Sequence, residues 1–213
     1  MELPEIGTIN AFALMLDING FTSMVSKTAQ SDCIAQFVRD VLSGGIEAVE
    51  RHGGSVVSFM GDAFLAILDN AESTYKAAVG IAICLDDTCE YISDHQRDFS
   101  EAWPYVRGGP SLKIGIEYGW MDVSTIHSES LGTLRLLIGP AINYACRIAA
   151  VGEGNRCNVG PEAMKHGMDQ WWSNGPCLVR IKAGEGKYTY WSMKLGDVWR
   201  EGEIELGEDT YWG

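Results

Sequence analysis

The sequence has few positive charges for its length. Its 213 residues carry 16 Lys and Arg against 29 Asp and Glu, which gives a net charge of -13. Non-specific binding to nucleic acid or to an anionic membrane requires a basic surface, so the charge balance argues against both partners. An anionic substrate would need local positive charge at its site, from a metal ion, an arginine or a lysine.

Long apolar runs and paired cysteines are also missing. No stretch approaches the roughly 18 apolar residues that cross a bilayer, and residues 1–10 lack the basic start and apolar run of a signal peptide. The six cysteines show neither a CxxC pair nor the spacing of a metal site. With 46% hydrophobic and 21% charged residues, the chain is predicted to be a globular protein of the reducing cytoplasm.

The apolar pattern predicts a β-α-β-β-α-β order with additions. Continuous apolar runs predict buried strands at 10–16 and on both sides of Gly61-Asp62, and spacings of three and four residues predict helices over 34–49 and 71–85. This order indicates an α+β fold of ferredoxin-like or palm type, an antiparallel sheet with helices packed on it. In such a sheet the first strand lies beside the hairpin at Gly61-Asp62.

The chain is predicted to form one domain and a tail. A single domain is expected over residues 1–200, with its core at about 10–193, followed by an acidic tail at 201–213. Residues 86–110 are polar and predict a loop or insertion, and residues 119–137 predict an extended arm or hairpin. These segments are candidate regulatory surfaces, although plain surface elements are the simpler interpretation.

Two aspartates occupy positions that suit one chemistry. Asp17 ends an apolar run and is followed by Gly20, and Asp62 follows Gly61 in a tight hairpin. A carboxylate at the end of a buried strand is costly unless it is paired or bound to a cation. Glycine beside each carboxylate lets a phosphate approach, so the pair predicts a two-metal site for phosphoryl chemistry. A turn or helix-cap role is the alternative for each aspartate.

Several motifs together resemble the catalytic domain of class III nucleotidyl cyclases. They are the first metal motif at Asp17-Ile18-Asn19-Gly20-Phe21-Thr22, the second at Gly61-Asp62-Ala63-Phe64-Leu65-Ala66, the Asn-x-x-x-Arg helix at Asn143-Tyr144-Ala145-Cys146-Arg147, and a triphosphate-binding lysine at Lys182. These motifs occur in the family's order along the chain. Each is weak alone, and the set is specific.

The resemblance implies which residues bind the metals and the triphosphate. Asp17, Asp62 and the main-chain carbonyl of Ile18 would bind two divalent cations, and oxygen ligands suit Mg²⁺ or Mn²⁺. The triphosphate would be bound by the backbone amides of Asn19, Gly20, Phe21 and Thr22 and by Lys182. Helix capping is an alternative and compatible role for the amides. A solvated strand lysine is the alternative for Lys182, with Lys187 as a nearby competitor.

The resemblance also implies the roles of the helix residues and an assembly. Asn143 and Arg147 are four apart and share one helix face. In the family, the asparagine orients the ribose and the arginine meets the charge that develops on the α-phosphate. A capping asparagine and a surface arginine are the alternative. Since the family divides the two residue sets between subunits, a chain with both implies a head-to-tail homodimer with shared sites and a nucleoside triphosphate substrate.

The positions that read the base depart from the purine cyclases. Adenylyl cyclases of the family have a lysine where this chain has Ser58 and an aspartate where it has Leu136, and guanylyl cyclases have glutamate and cysteine there. A purine edge facing Leu136 would leave buried polar atoms unpaired. The chain therefore resembles the pyrimidine cyclases of bacterial Pycsar antiphage systems. That resemblance implies cyclic UMP from UTP, or cyclic CMP from CTP, as the activator of a separate effector protein.

Other functions remain as alternatives. One is an adenylyl cyclase that reads adenine with other residues, and another is a catalytically silent, cyclase-shaped binding or dimerisation module. The intact set Asp17, Asp62, Asn143 and Arg147 argues against a silent module. A diguanylate cyclase is rejected because the hairpin lacks a Gly-Gly-(Asp/Glu)-Glu-Phe turn.

Overall fold

The computed structural model describes most of the chain. The described residues are 3–27, 31–95, 111–130, 132–151, 154–172, 177–180 and 187–198. Lys182, the tail at 201–213 and residues 96–110 of the predicted insertion lie outside them. Within the described ranges, no helix has the length and apolar composition needed to cross a membrane.

The described residues form eight strands and five α-helices. In chain order they are β1 (Gly7–Asn19), α1 (Phe21–Lys27), α2 (Ser31–Arg51), β2 (Ser55–Phe59), β3 (Ala63–Leu68), α3 (Ala71–His95), β4 (Ser111–Ser128), β5 (Gly132–Ile138), α4 (Pro140–Ala150), β6 (Arg156–Val159), α5 (Pro161–Lys165), β7 (Cys177–Arg180) and β8 (Lys187–Lys194). The first six major elements follow the predicted β-α-β-β-α-β order.

The described strands form a sheet in the order β2-β3-β1-β4-β6-β8-β7, and β5 pairs with the C-terminal part of β4, from Asp122 to Ser128. This arrangement, with helices packed on it, confirms the predicted α+β class. Every pairing is antiparallel except β4–β6, which is parallel, so the sheet is mixed instead of fully antiparallel. The predicted arm at 119–137 is confirmed as the β4–β5 hairpin, which pairs Asp122 with Ile138 and Ser128 with Gly132.

The sheet buries apolar side chains on both faces. Alternate β1 residues such as Leu14 and Leu16 join the larger core cluster with α2 and α3, and Ala13 and Met15 join a smaller cluster with α4. Burying a large apolar side chain contributes about 1.5–3 kcal/mol, so these two clusters supply the main stabilisation. By the same alternation, the Asp17 side chain lies on the α4 face of the sheet.

Helix α4 rests directly on β4 at Gly115. A Cβ atom there would overlap the main-chain carbonyl of Ala145 and approach Ala149, so a larger residue would push the helix away from the sheet. Ala141 and Ala145 are buried against β1 and β4 for the same reason. The small residues therefore fix the position of α4, which carries Asn143 and Arg147, relative to the end of β1.

Helix α3 is longer than the sequence predicts. It runs from Ala71 to His95 instead of ending at residue 85. Leu85 is buried and Cys89, four residues later, packs against the same core cluster, so the inward face continues into the polar segment. Residues 86–95 of the predicted insertion therefore belong to this helix, and residues 96–110 lie outside the described residues.

Candidate active site

The first metal motif and the hairpin turn meet at one end of the sheet. β1 pairs with β3 so that Asp17 lies opposite Ala63. The main-chain N–H of Ile18 donates to the main-chain carbonyl of Asp62 over 3.3 Å. The structure thus brings Asp17, Ile18 and Asp62 together, although 44 residues separate the two aspartates.

Gly61 shapes the turn that presents Asp62. It has φ of 71°, in the left-handed region that favours glycine. The N–H of Met60 donates to the carbonyl of Ala63 over 2.9 Å and closes the turn. A side chain at position 61 would strain this backbone and displace the carboxylate that follows.

The two carboxylates repel each other in a partly desolvated place. Burial raises the pKa of Asp17, and the charge of Asp62 raises it further, whereas Lys113 lowers it. Burial also raises the pKa of Asp62. The raised pKa values mean that ionising the two carboxyl groups costs stability, and a cation between them would offset that cost.

The donor set fits a hard divalent cation. Asp17 and Asp62 offer carboxylate oxygens. Mg²⁺ and Mn²⁺ prefer sites made of oxygen ligands, so such a site needs no cysteine or histidine. Among the described residues, no group of three or more His, Cys, Asp or Glu is placed to hold a metal. A site here would therefore rest on two carboxylates together with main-chain and substrate oxygens.

Lys113 is a charged neighbour of the aspartate pair that belongs to none of the sequence motifs. It lies opposite Asp17 in the β1–β4 pairing and is half-buried between Leu112 and Ile114. Its charge lowers the pKa of Asp17. In the sequence, the only sign of this role is a lysine between Leu112 and Ile114, and the alternation of a strand predicts that such a side chain faces solvent.

The segment after Asp17 is anchored on both sides. The Asn19 amide donates to the hydroxyl of Ser111 over 2.9 Å. Phe21 is half-buried and packs against the larger core cluster, whereas Gly20 and Thr22 are exposed. The backbone of residues 19–22 is thereby fixed at the start of α1, next to the aspartate pair.

Helix α4 presents the other predicted polar residues. Asn143 is exposed and Arg147 is half-buried, one helical turn later. Burial raises the pKa of the Cys146 thiol, Arg147 lowers it, and Asp17 raises it. The helix therefore lies within electrostatic reach of Asp17 in the same chain.

The predicted base-reading positions lie on two strands that approach each other. Ser58 is exposed on β2, at a bulge in its pairing with β3. Leu136 is exposed on β5, opposite Ser124. β2 and β5 are near neighbours, and Val57 and Leu137 pack against the same smaller cluster. The structure thus brings Asp17 and Asp62 together and places Ser58 and Leu136 on neighbouring strands, while Lys182 lies outside the described residues.

Leu136 belongs to an exposed apolar stripe, called here the arm surface. Its members are Ile126 of β4 and Leu134, Leu136 and Ile138 of β5. Leu134, Leu136 and Ile138 alternate along one face of β5, and Ile126 pairs with Leu134. A contiguous exposed apolar surface of this kind is typical of a protein–protein interface.

Glu117 is a buried carboxylate that the sequence pattern assigns to no role. It is 3% exposed, and its carboxylate accepts the N–H of Tyr118 over 2.9 Å and the N–H of Ala163 over 2.7 Å. It thereby ties β4 to the first turn of α5. Burial raises its pKa to about 7, although the two backbone hydrogen bonds lower it.

Glu117→Gln is expected to change how stability depends on pH. Between the ordinary pKa of 4.5 and the folded pKa of about 7, the unfolded carboxylate is ionised while the folded one is protonated, so raising the pH destabilises the wild type. The variant should be more stable above pH 7, by on the order of 2 kcal/mol, and the two proteins should converge near pH 4.5. Unfolding by denaturant between pH 4 and pH 9 measures this. Glu129→Gln, at an exposed position, is the control, and a pH-independent difference would contradict the assignment.

Comparison with known proteins identifies the family. The model of the adenylate and guanylate cyclase catalytic domain matches residues 8–194. An adenylate cyclase of Anabaena cylindrica is 27% identical over 161 residues, which cover 75% of this chain and 30% of that protein. The chain therefore spans about a third of the length of this relative.

Solved structures show the same fold. The guanylyl cyclase Cya2 superposes with a TM-score of 0.73 at 18% identity, over 89% of this chain and 93% of that chain. The adenylyl cyclase CyaB of P. aeruginosa superposes with a TM-score of 0.64 at 14% identity, over 90% and 97% of the two chains. Because the family model matches most of its length, the chain belongs to the adenylate and guanylate cyclase catalytic domain family.

Proposed function

We propose that the protein is a nucleotidyl cyclase that converts a pyrimidine nucleoside triphosphate, UTP in the first place, to its 3′,5′-cyclic monophosphate and pyrophosphate. The observation that carries the proposal is the pair of partly desolvated carboxylates Asp17 and Asp62 at one end of the sheet. Burial raises the pKa of both, and the charge of Asp62 raises that of Asp17 further. Membership of the cyclase family supports phosphoryl chemistry at this pair.

Asp17, Asp62 and the main-chain carbonyl of Ile18 would hold two divalent cations, Mg²⁺ or Mn²⁺. When bound, the cations supply charge neutralisation at the attacking and leaving oxygens and lower the pKa of the ribose hydroxyl. The ribose 3′-oxygen forms a bond to the α-phosphorus, and the bond from that phosphorus to the bridging oxygen breaks. Pyrophosphate leaves with the electron pair, and the hydroxyl proton passes to solvent.

The remaining residues bind and orient the triphosphate. Backbone amides of residues 19–22, at the start of α1, would donate to the β- and γ-phosphates, and Lys182 would add a point charge. Asn143 would orient the ribose, and the planar guanidinium of Arg147 would meet the charge that develops on the α-phosphate. Arg147 lies on the helix that Gly115 seats against the sheet, so its position is set by the core.

We assign the arm surface to a second copy of the same chain. The metal residues and the residues of α4 would then meet across a two-fold interface, with two equivalent sites per homodimer. Four apolar side chains exposed on one face of the β4–β5 hairpin support a permanent contact there. The base-reading positions share the hairpin with that contact, since Leu136 belongs to both.

The base assignment rests on Ser58 and Leu136. A serine hydroxyl both donates and accepts, so it suits the polar edge of either uracil or cytosine, and the preference for UTP rests on the resemblance to the Pycsar cyclases. Leu136 offers no partner for the exocyclic group of a purine, which would be left unpaired at about 1–3 kcal/mol. By resemblance to the Pycsar cyclases, the product would act as a second messenger that activates a separate effector in antiphage defence. CTP is the nearest alternative, and the likeness to an adenylate cyclase favours ATP as a second candidate.

A competition experiment tests the base assignment. The purified protein is given Mn²⁺ and equimolar ATP, GTP, CTP and UTP, and the products are separated and identified by mass. We expect cyclic UMP to dominate. Dominant cyclic AMP would leave the proposed mechanism in place and overturn the interpretation of Ser58 and Leu136.

Restoring the purine readers should redirect the enzyme. Ser58→Lys combined with Leu136→Asp should raise the ratio of kcat/KM for ATP to that for UTP by at least about tenfold, because the new side chains can bond the adenine edge. Both positions are exposed in the single chain, so the fold of the subunit tolerates the change. The matched control is Ser58→Lys with Thr133→Asp, which adds the same charges on the same strand but outside the arm surface. An equal shift in both variants would mean that charge, and not position 136, selects the base.

A further inference from the structure

Asn158 of β6 is a buried amide that belongs to none of the sequence motifs. It is 1% exposed. Its Nδ2 donates to the main-chain carbonyl of Ile148 over 2.7 Å and to that of Val151 over 3.2 Å, whereas its Oδ1 meets no donor among the described residues. The two carbonyls lie in the last turn of α4 and directly after it. Since the last carbonyls of a helix have no partner within it, Asn158 supplies from another element the donor that the end of α4 lacks.

The sheet places this amide beneath the end of α4. β4 and β6 run parallel, with Asn158 opposite Gly115, the residue on which α4 rests. The neighbours Cys157 and Val159 belong to the larger core cluster on the other face of the sheet, so Asn158 faces α4. Gly115 therefore sets how closely the helix approaches the sheet, and Asn158 sets where its last turn lies.

The two ends of α4 are fixed by different contacts. At the start of the helix, Gly139 lies directly against β4, where a Cβ atom would overlap the main-chain carbonyl of Trp120. In the last turn, Arg147 directly precedes Ile148, whose carbonyl is bound by Asn158. Loss of the Asn158 amide would therefore loosen the end of the helix that carries Arg147 and leave the first turn in place.

We propose that Asn158 is a positioning residue that holds Arg147 at the reacting phosphate through the carbonyls at the end of α4. The inference rests on the proposed function, since it concerns the same reaction, and it requires no contact between Asn158 and the substrate. Arg147 would meet charge that develops only in the transition state, so its misplacement lowers kcat more than it raises KM. An error of about 1 Å in such positioning costs up to about 100-fold in rate.

A double-mutant cycle tests this assignment. Asn158→Leu keeps a branched side chain and removes both hydrogen bonds, and it is made in the wild type, in Arg147→Ala and in Asn143→Ala. Values of kcat and KM are measured with the full chain, Mn²⁺ and the triphosphate that the wild type cyclises fastest. If Asn158→Leu does not fold, Asn158→Ser replaces it, because a single hydroxyl hydrogen cannot bond both carbonyls fully.

Thr74→Val is the matched control for a loss of stability. Thr74 is also fully buried, and its hydroxyl donates to the main-chain carbonyl of Asn70 over 2.7 Å. It lies on α3, which packs on the opposite face of the sheet from α4. All variants are assayed at a temperature at which circular dichroism shows them to be folded. Thr74→Val should lower the urea midpoint of unfolding and leave kcat unchanged.

We expect Asn158→Leu to lower kcat by about 10- to 100-fold in the wild type and in Asn143→Ala, with KM changed by less than about twofold. In Arg147→Ala it should change the residual kcat by less than about twofold. The proposal would be overturned by no loss in the wild type, by an equal loss in Arg147→Ala, or by a loss that disappears in Asn143→Ala, and each of these results would leave the cyclase assignment standing. A wild type that forms no cyclic nucleotide from any triphosphate would refute both.

Discussion

Asp62→Asn should abolish cyclic nucleotide formation and at the same time stabilise the metal-free protein. The amide keeps the size of the side chain but loses the charge that binds a cation, so we expect turnover to fall by roughly a thousandfold or more. Burial and the charge of Asp62 raise the pKa of Asp17, which shows that the ionised pair is destabilising. Removing one charge should therefore raise the melting temperature in a chelator, by on the order of 1–2 °C after allowance for solvent screening.

The combination of results is specific to a cation site. A residue with an ordinary structural role would lose stability together with activity. Asp69→Asn is the matched control, since Asp69 is exposed at the other end of β3 and carries the same charge. It should change neither quantity. Mn²⁺ should raise the melting temperature of the wild type and of Asp69→Asn but not that of Asp62→Asn. Wild-type turnover in Asp62→Asn would contradict the metal assignment.

Mixing two inactive variants should restore activity if the sites are shared between chains. A heterodimer of Asp62→Asn with Arg147→Ala contains one site with both defects and one site with neither. Random exchange in an equal mixture makes half of the dimers mixed, each with one of its two sites intact, so we expect about a quarter of wild-type activity. Asn143→Ala, at an exposed position, replaces Arg147→Ala if that variant is unstable.

A second mixture controls for non-specific rescue. Asp17→Asn and Asp62→Asn both alter the metal half of a site, so their heterodimers have no intact site and should remain inactive. The chains are mixed, incubated to allow exchange, and assayed for product. Equal activity in the two mixtures, or none in either, would count against composite sites in a homodimer.

Long apolar runs allowed the core of the fold to be predicted. β1 contains the apolar run 11–16, which Asp17 follows, and β3 is apolar throughout, with Asp62 directly before it, so their pairing and the meeting of Asp17 with Asp62 follow from the hairpin topology. The parallel β4–β6 pairing was not predicted because it joins strands separated by α4, and no local pattern specifies which edge a later strand joins.

Burial that depends on a distant element explains the other differences. Glu117 lies in an alternating strand pattern that assigns it to solvent, but the first turn of α5 covers it and donates a backbone N–H. The hydroxyl of Tyr144 on α4 donates to the carbonyl of Thr189 on β8 and accepts its N–H. Thr189 lies beyond the part of β8 that pairs with β6, and no local pattern around Tyr144 indicates this. In both residues a side chain satisfies backbone groups that are far away in sequence, which periodicity does not reveal.

The most direct test of the central claim is the stoichiometry of the reaction products. The purified protein is incubated with Mn²⁺ and each nucleoside triphosphate separately, and the products are identified by mass. We predict a 3′,5′-cyclic monophosphate and pyrophosphate in equal amounts from at least one triphosphate, lost on chelation and in Asp62→Asn. A nucleoside diphosphate with free phosphate, or no product from any of the triphosphates, would contradict a cyclase site at Asp17 and Asp62.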